Sequence, residues 1–542
     1  MFKHRLTRFC VSSLFAMCVL FVGGSLQSCK DWLDVYPYDD PGDPEWLGAS
    51  VYDFLKKGTA NHSYTNYVAI IDSLRETETL AHTGSKTLFI ADDEAFEKFF
   101  QKNPWNVKSV ADMSKAQMKT ILFGSMLDNA MLLDMFSSSG VDTNQEGTCL
   151  RRYASLQVID SILLLDNNGA EINRYEHHAD WPTYNRYWNA VRGKERDKKM
   201  RLAMDGTRPM LVHFIGDYLR KNNIKDEDIQ FLFTKNGKAQ KTFTKGEALV
   251  YGNKILNSDV NTGSYSDDTL TIACKNGYLY RMDSVLLPPS NMADELRKRK
   301  DTRIVSHLLD RFCVPEYDSE LSSKYNAYHR TNDSIFRLRY LSNSYKSHPL
   351  FKQEPPTEEL LVFDPGQNSL NVKGVLAEDM AAMFVPNDAA LFEHFTMPGG
   401  TGRFLLSHYA PSLPVPESID ALLSALDSIP EKNIVKYLNN WMRLSFAKTV
   451  LSKFDKITDD ANELMDIRKE DVDECVIANN GVIYITNRVF PPTSYESVIG
   501  PTLVNDNMDI MRTIVYQLHY EYYLLAMDAE YSFIVPDDKH FF

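Results

Sequence analysis

The sequence predicts a mixed α/β (α+β) protein that is built from tandem copies of one small unit. An apolar strand pattern followed by an acidic turn occurs at 87–96, 382–392 and 531–541. A second strand pattern, which opens on Asn-Gly and closes on Pro-Pro, occurs at 276–289 and 480–492. A stretch with apolar residues at three- and four-residue spacing, typical of an amphipathic helix, precedes each copy of the first strand. Repetition in a fixed order indicates a repeated structural unit.

Each element of the unit has a local chemical basis. The turn after the first strand carries Asp92, Asn387 or Asp537, which are residue types that accept a hydrogen bond from free amides at a helix start. Asn-Gly favours a hairpin because both residues tolerate positive φ, and the double proline ends the strand that follows. The predicted helical stretches are 50–57 with 67–74, 301–312, and 508–527.

These two motifs resemble those of the fasciclin (FAS1) domain. Thr87-Leu-Phe-Ile-Ala-Asp-Asp-Glu-Ala-Phe96 is similar to the family's TLFAPTDEAF, and the run from Asn276 to Pro289 is similar to NGVIHVIDxVLxP. The resemblance implies tandem FAS1-like units, each a small wedge of β-sheet with packed helices. Tyr280 and Tyr484 stand where the family's second motif has histidine, and the central region at 437–442 lacks the family's other histidine. Receptor binding by that central loop is therefore not expected here.

The repeats and the N-terminal composition divide the chain into five parts. They are a signal peptide at 1–28, a tether at 29–46, a first FAS1-like domain at 47–290, a second at 291–493, and an incomplete third unit at 494–542.

The first domain carries an insertion at about 137–268. Within it the patterns predict a strand at 155–165, a helix at 209–221 and a polar end at 257–268. The third unit cannot close a core by itself, so either the natural chain continues or this segment packs on the second unit.

The first thirty residues have the layout of an export signal. A basic start with Lys3, Arg5 and Arg8 precedes an apolar run at 9–20, which is short for a membrane span. Leu26-Gln-Ser-Cys29 resembles the bacterial lipobox, and this implies that Cys29 is lipidated and anchors the mature chain in a membrane. An ordinary secretory signal with a chance cysteine is the alternative.

The residues after Cys29 indicate where the anchored chain is displayed. Asp31, Asp34, Asp39, Asp40 and Asp43 give the tether an acidic character. This acidic tether loosely resembles the surface-export signal of Bacteroidetes lipoproteins, so the predicted location is the outer membrane, facing the cell exterior.

Charge and cysteine content exclude several classes of function. The net charge of −14 argues against a nucleic-acid partner, since phosphate binding needs a basic face. No HExxH, GxSxG, P-loop or GxGxxG pattern occurs, and no cofactor is implied. The four cysteines beyond the signal are far apart and form no zinc motif, which leaves free buried thiols or a disulfide. They are Cys149, Cys274, Cys313 and Cys475.

The insertion holds the candidate ligand-binding residues. Trp181, Tyr184 and Trp188 would share one helix face and could stack on sugar rings, although core packing is the alternative. The basic run from Arg192 to Arg201 could meet anionic polysaccharide or lipid headgroups, or form a solvated helix face.

A small polar cluster in the same insertion has two interpretations. His177, His178 and Asp180 could bind a metal, but a solvated loop is favoured because no further ligands are evident nearby and no metal site is predicted.

Three functions follow from these patterns. The leading hypothesis is a non-enzymatic binding or adhesion module that is anchored at the cell surface and contacts an extracellular protein or glycan. The second is an accessory lipoprotein that presents glycan to an outer-membrane nutrient-uptake complex. The third is an enzyme whose active site lies in the insertion.

Overall fold

The computed structural model describes the greater part of the chain beyond the predicted tether. The described residues are 48–138, 147–155, 162–165, 200–203, 210–242, 247–258, 269–343, 360–367, 370–373, 376–526 and 530–541.

The helices of the described residues are short. They are α1 Val51–Lys57, α2 Thr65–Leu74, α3 Thr77–His82, α4 Asp93–Gln101, α5 Lys115–Gly124, α6 Gly216–Lys221, α7 Asp226–Phe231, α8 Met292–Lys298, α9 Arg303–Asp310, α10 Ser319–His329, α11 Asp388–Thr396, α12 Thr401–Tyr409, α13 Ile419–Leu426, α14 Glu431–Trp441, α15 Gly500–Val504, α16 Asp509–Gln517 and α17 Glu521–Leu524.

The strands lie singly or in runs between these helices. They are β1 Lys86–Ala91, β2 Met126–Leu127, β3 Arg151–Tyr153, β4 Ile162–Leu165, β5 Met200–Ala203, β6 Met210–Phe214, β7 Thr234–Lys235, β8 Lys238–Ala239, β9 Leu249–Val250, β10 Asn253–Leu256, β11 Thr271–Cys274, β12 Gly277–Met282, β13 Cys313–Tyr317, β14 Ser334–Tyr340, β15 Val372–Lys373, β16 Leu376–Ala377, β17 Ala381–Pro386, β18 Met442–Arg443, β19 Val472–Ile477 and β20 Gly481–Thr486.

The first unit is organised around a parallel pair of strands. Strand β1 runs parallel to β12 with Lys86 opposite Gly277, and the short β2 covers the other edge of β1. Five of the six residues of β1 are buried, which explains its nearly continuous apolar sequence. Helix α4 follows directly, because the Asp92 side chain accepts a hydrogen bond from the Ala95 amide.

The second unit repeats this arrangement in the same register. Strand β17 runs parallel to β20 with Ala381 opposite Gly481, and β18 covers its other edge. Asn387 takes the place of Asp92 and caps α11 by accepting from the Ala390 amide. The fold is therefore mixed α/β with two units of equivalent topology, and the predicted fold class is confirmed.

The predicted Asn-Gly hairpins are present in both units. Strands β11 and β12 pair from Cys274 and Gly277 outward, and β19 pairs with β20 from Ile477 and Val482 outward. Strands β12 and β20 end before the double prolines. The prediction of a turn at Asn-Gly followed by a strand is confirmed.

The insertion departs from the sequence prediction at one point. The stretch 209–221 was predicted to be a helix, but Met210–Phe214 is strand β6 and the helix begins only at Gly216. All five residues of β6 are buried, and the strand pairs with β3 and β9, so tertiary pairing overrides the local spacing. Within the predicted 155–165 strand, the described part that is extended is Ile162–Leu165.

The third unit is only partly as predicted. The helical stretch at 508–527 divides into α16 and α17, and His519 between them has a positive φ of 53°. The predicted strand at 531–536 forms no ladder with any other described residue, so the expectation of a buried strand is wrong for this copy. The reason is that no described strand stands in the place of β12 or β20.

The hydrophobic core joins the two complete units. One cluster of buried residues includes Phe89 and Tyr280 of the first unit, Phe214 and Phe231 of the insertion, and most of the apolar interior of the second unit. A separate cluster packs the first-unit helices α1, α2, α4 and α5 on the other face of β1. None of the helices within the described ranges is both long and apolar enough to cross a lipid bilayer.

Candidate functional site

The acidic turn after the first strand makes the same contact in all three units. A carboxylate in this turn accepts hydrogen bonds from the first two backbone amides of the helix that precedes the strand. Asp93 accepts from the amides of Thr65 and Asn66 in the first unit. Asp388 accepts from those of Arg303 and Ile304 in the second, and Asp538 from those of Asp509 and Ile510 in the third. These hydrogen bonds connect the turn after the strand to the first turn of the helix. Because the third unit makes the same contact, it begins as the other two do.

The surroundings of these carboxylates shift their pKa values in different directions. Partial burial of Asp93 acts to raise its pKa, but hydrogen bonds from Asn66, Ser63 and Thr65 outweigh burial and lower the pKa to about 2. At Asp388, desolvation outweighs the bonds from Ile304 and Arg303, and its pKa is raised. Both carboxylates are structural acceptors in this arrangement.

The asparagine of each Asn-Gly turn is a buried structural residue. Its side-chain oxygen accepts from the first amide of a helix, and its side-chain nitrogen donates to two backbone carbonyls. Asn276 joins the Val51 amide to the carbonyls of Leu80 and Thr83, and Asn480 joins the Met292 amide to those of Pro365 and Gln367. The sequence predicted the turn at these positions but not the helix contact.

A charged cluster lies at the carboxyl ends of β1 and β12. The Nδ1 atom of His62 lies 2.9 Å from Oδ2 of Asp92, and Arg281 approaches the same oxygen at 3.4 Å. Arg281 also donates to the backbone carbonyl of Asn257 at 3.0 Å. The Asp92 carboxylate thus has both the His62 ring and the Arg281 guanidinium as neighbours.

Metal-binding and disulfide chemistry are not found in the part of the chain that the structure describes. No group of three potential metal ligands comes together there. Cys149, Cys274, Cys313 and Cys475 are free thiols. Burial raises the pKa of Cys274 to about 12, which keeps this thiol protonated and unreactive.

The candidate residues from the sequence fall mostly outside the described residues. Cys29, the aromatic set of Trp181, Tyr184 and Trp188, the polar cluster at 177–180 and the basic run up to Lys199 all lie there.

The last residue of the basic run is described. The Arg201 guanidinium pairs with Asp333 at 2.5 Å and packs over the Tyr325 ring at 5.0 Å. Arg201 belongs to strand β5, so a solvated helix face is wrong for this residue.

The described part of the insertion holds the two complete units together. Arg151 of β3 is fully buried, and its guanidinium donates to backbone carbonyls of the second unit. The acceptors are Asn479 at 3.3 Å, Asp379 at 2.8 Å, and Leu370. Desolvation lowers the Arg151 pKa to about 10, partly offset by the Asp379 charge, so this guanidinium stays charged at neutral pH.

Further contacts extend this junction. Asp228 of α7 accepts from the Ser452 amide and hydroxyl, at 2.7 and 2.8 Å. The Phe231 ring stacks on Tyr484 at 6.3 Å between centroids, and Lys235 of β7 pairs with Glu474 of β19. The insertion thus extends the sheet of the second unit and supplies part of its core.

Exposed apolar side chains concentrate in the segment 514–541. Among the described residues of this segment, eight large apolar side chains expose more than a third of their surface, and we call them the 514–541 apolar set. It consists of Ile514, Leu518, Tyr520, Tyr522, Tyr523, Tyr531, Ile534 and Phe541. A concentration of exposed apolar residues is typical of interaction surfaces. In the sequence, the aromatic run at 516–523 is the signal for these exposed side chains.

The comparisons with known proteins give a distant likeness to solved structures. No protein-family model matches the chain, and no curated protein matches it. Among solved structures, the chain is similar to a FAS1 domain pair from the insect cell adhesion molecule fasciclin I, at 10% sequence identity and a TM-score of 0.22. The match covers 82% of this chain and 100% of that chain. At this score the likeness carries no argument about function.

Proposed function

We propose that this chain is a cell-surface lipoprotein that acts as a non-enzymatic binding or adhesion module through FAS1-like units. The observation that carries the binding function is the 514–541 apolar set, which places at least eight large apolar side chains in solvent on one short segment. The two complete units share a continuous core, so they form a stable base for that segment.

The lipid anchor is the second part of the proposal. Leu26-Gln-Ser-Cys29 supports it, because this sequence follows a basic and then an apolar stretch. Two or three acyl chains on Cys29 hold a protein on a bilayer without a spanning helix. The acidic tether after Cys29 supports display on the outer surface of the outer membrane.

Capture from intact cells and their surroundings tests the binding function. Full-length protein is cross-linked at the cell surface, purified, and its bound proteins and glycans are identified by mass spectrometry. The expected result is an extracellular protein or glycan whose capture decreases when Tyr522 and Tyr523 are both changed to Ser. Copurification with an outer-membrane transporter would instead favour the glycan-presenting alternative. Turnover of a captured glycan by the purified protein would contradict a non-enzymatic role.

A further inference from the structure

A cavity of about 310 Å³ lies between helices α1 and α2 of the first unit, and we call it the α1–α2 cavity. Buried Leu55 and Tyr64 form an apolar part of its wall. Lys56, Lys57 and Asp72 also line it, and these side chains are exposed. An apolar wall with a few polar groups is typical of ligand sites, and the volume is at the lower end of their usual range.

The same two charged positions form a closed ion pair in the second unit. The buried asparagine contact aligns the start of α1 with that of α8, and the acidic-turn contact aligns the start of α2 with that of α9. Lys56 therefore corresponds to Arg297, and position 72 to Asp310. Arg297 pairs with Asp310 at 2.6 Å, and both side chains are only 2% exposed. Lys56 instead lies over the Tyr52 ring at 5.7 Å and lines the open cavity together with Asp72.

The linker that borders the cavity is longer than its counterpart and is fixed by two contacts. It spans 58–64, whereas the linker between α8 and α9 spans only 299–302. The Thr59 amide donates to the His62 carbonyl at 2.8 Å, which closes a turn. The His62 ring lies 2.9 Å from the Asp92 carboxylate, which attaches this turn to the end of β1. The α1–α2 cavity is therefore bordered by a preformed linker.

The polar groups of the cavity match a ligand that carries several hydroxyl groups. The Ser63 and Thr65 hydroxyls both donate to the Asp93 carboxylate, so their oxygens keep lone pairs that can accept a hydrogen bond. The Asp72 carboxylate accepts two hydrogen bonds through Oδ1, and its Oδ2 is a further acceptor. Acceptors on the wall require donors on the ligand, and hydroxyl groups supply them.

Charge narrows the ligand further. Two lysines and one carboxylate line the cavity, so its lining has an excess of positive charge. Lys57 is exposed and makes no hydrogen bond or ion pair with any residue that the structure describes. Its ammonium group is therefore available to an anionic oxygen. A ligand with one net negative charge matches this lining better than a zwitterion or a neutral sugar does.

We infer that the α1–α2 cavity binds a terminal uronic acid residue of an extracellular glycan. The sugar carboxylate meets Lys57, the sugar hydroxyls donate to Asp72 and to the hydroxyl oxygens near the linker, and the ring packs against the apolar wall. The inference rests on the proposed binding function and deepens it by naming one ligand class. It depends neither on the lipid anchor nor on the 514–541 apolar set.

The probes are free glucuronate and an oligosaccharide that ends in glucuronate, with glucose and acetate as matched controls. Binding to the full-length protein in detergent is measured by ligand-observed nuclear magnetic resonance titration. Both glucuronate probes should bind saturably, at least about tenfold more tightly than either control. Lys57→Gln should weaken glucuronate binding about tenfold, because a charged donor is lost. Lys238→Gln, which alters an exposed lysine of β8, should leave the affinity unchanged.

A variant that fills the cavity gives a second, independent test. Ala69 lines the cavity and is exposed, so Ala69→Phe should abolish glucuronate binding while the circular dichroism spectrum stays that of the wild-type protein. Unchanged binding by Ala69→Phe would overturn the inference.

Three other results would also overturn the inference. They are no glucuronate binding at millimolar concentration, equal affinity for glucose or acetate, and unchanged affinity of Lys57→Gln. Binding of free glucuronate without binding of the oligosaccharide would likewise overturn it, because the ligand would then be a free sugar acid. Capture from intact cells is measured separately with the Tyr522 and Tyr523 variant, so failure here leaves the proposed function unaffected.

Discussion

Single buried polar residues define the two complete units at the residue scale. Asn276 and Asn480 occupy equivalent positions and make equivalent hydrogen bonds, although the helices and loops that they join differ in sequence. The Asn-Gly signal in the sequence predicted a turn from backbone preference alone. The helix contact was not predictable, because it depends on chain segments more than a hundred residues away.

Replacing either asparagine should therefore destabilise the protein to a similar extent. Asn276→Ala leaves one buried amide and two carbonyls without their partner, which should lower the free energy of unfolding by about 2–4 kcal/mol. Asn480→Ala should give the same loss within about 1 kcal/mol if the units are equivalent. Urea denaturation measures both values. A large loss for one variant and none for the other would contradict the equivalence.

A buried histidine should make stability depend on pH. His213 is fully buried, neither ring nitrogen has a hydrogen-bond partner among the described residues, and desolvation lowers its pKa well below 6.5. Since only the unfolded state then takes up a proton near pH 6, stability falls as pH decreases through the unfolded pKa of about 6.5. Buried Asp294 and Asp364, each with a pKa raised to about 6, act in the opposite direction.

Comparison with a variant isolates the histidine contribution. Below about pH 6.5, wild-type protein should lose about 1.4 kcal/mol per pH unit more than His213→Leu does, because one proton is involved. Denaturant unfolding between about pH 7 and pH 5 measures this difference in slope. Parallel curves for the two proteins would show that His213 is not buried in its neutral form.

At the scale of secondary-structure elements, the insertion is the junction between the two units. Its Arg151 reaches three carbonyls of the second unit, whereas the neighbouring Arg152 donates to carbonyls of residues 135–138. The sequence located the insertion but did not indicate that it joins the two units, because contacts between distant segments leave no local pattern. The error at Met210–Phe214 has the same origin, since pairing with β3 and β9 decided that structure.

The two neighbouring arginines provide a matched pair of variants. Arg151→Met should lower the free energy of unfolding by about 3 kcal/mol, because several buried carbonyls lose a charged donor. Hydrogen exchange should then increase in the second unit at β17 and β20. Arg152→Met should leave exchange in the second unit unchanged. Equal effects of both variants on β17 and β20 would contradict the assignment of Arg151 to the junction.

At the scale of the whole molecule, the continuous core predicts cooperative unfolding. Residues from Ser50 onward form one compact unit, and one buried cluster contains residues of both complete units and the insertion. Calorimetry should therefore show one transition for both units, which coincides with loss of near-ultraviolet circular dichroism. Two well-separated transitions would show that the units fold independently.

The fold could be predicted from the sequence where a pattern was local and occurred more than once. Both complete units, their Asn-Gly hairpins and their helix caps followed from motifs of about ten residues, whereas the parallel pairing of β1 with β12 and of β17 with β20 did not. The exposure of Ile534 could not be predicted, because the strand pattern at 531–536 is the same whether or not a covering strand is present. The domain boundaries and the roles of Cys29, Trp181, Tyr184 and Trp188 stay predictions from the sequence.

We propose that a lipid on Cys29 holds this binding module on the outer cell surface. Metabolic labelling with an alkyne fatty acid, combined with protease treatment of intact cells, tests it most directly. We expect label on the wild-type protein, no label on Cys29→Ala, and cleavage of the wild-type body while the cells remain intact. A wild-type protein that takes up no label, or that resists protease until the cells are broken, would contradict the claim.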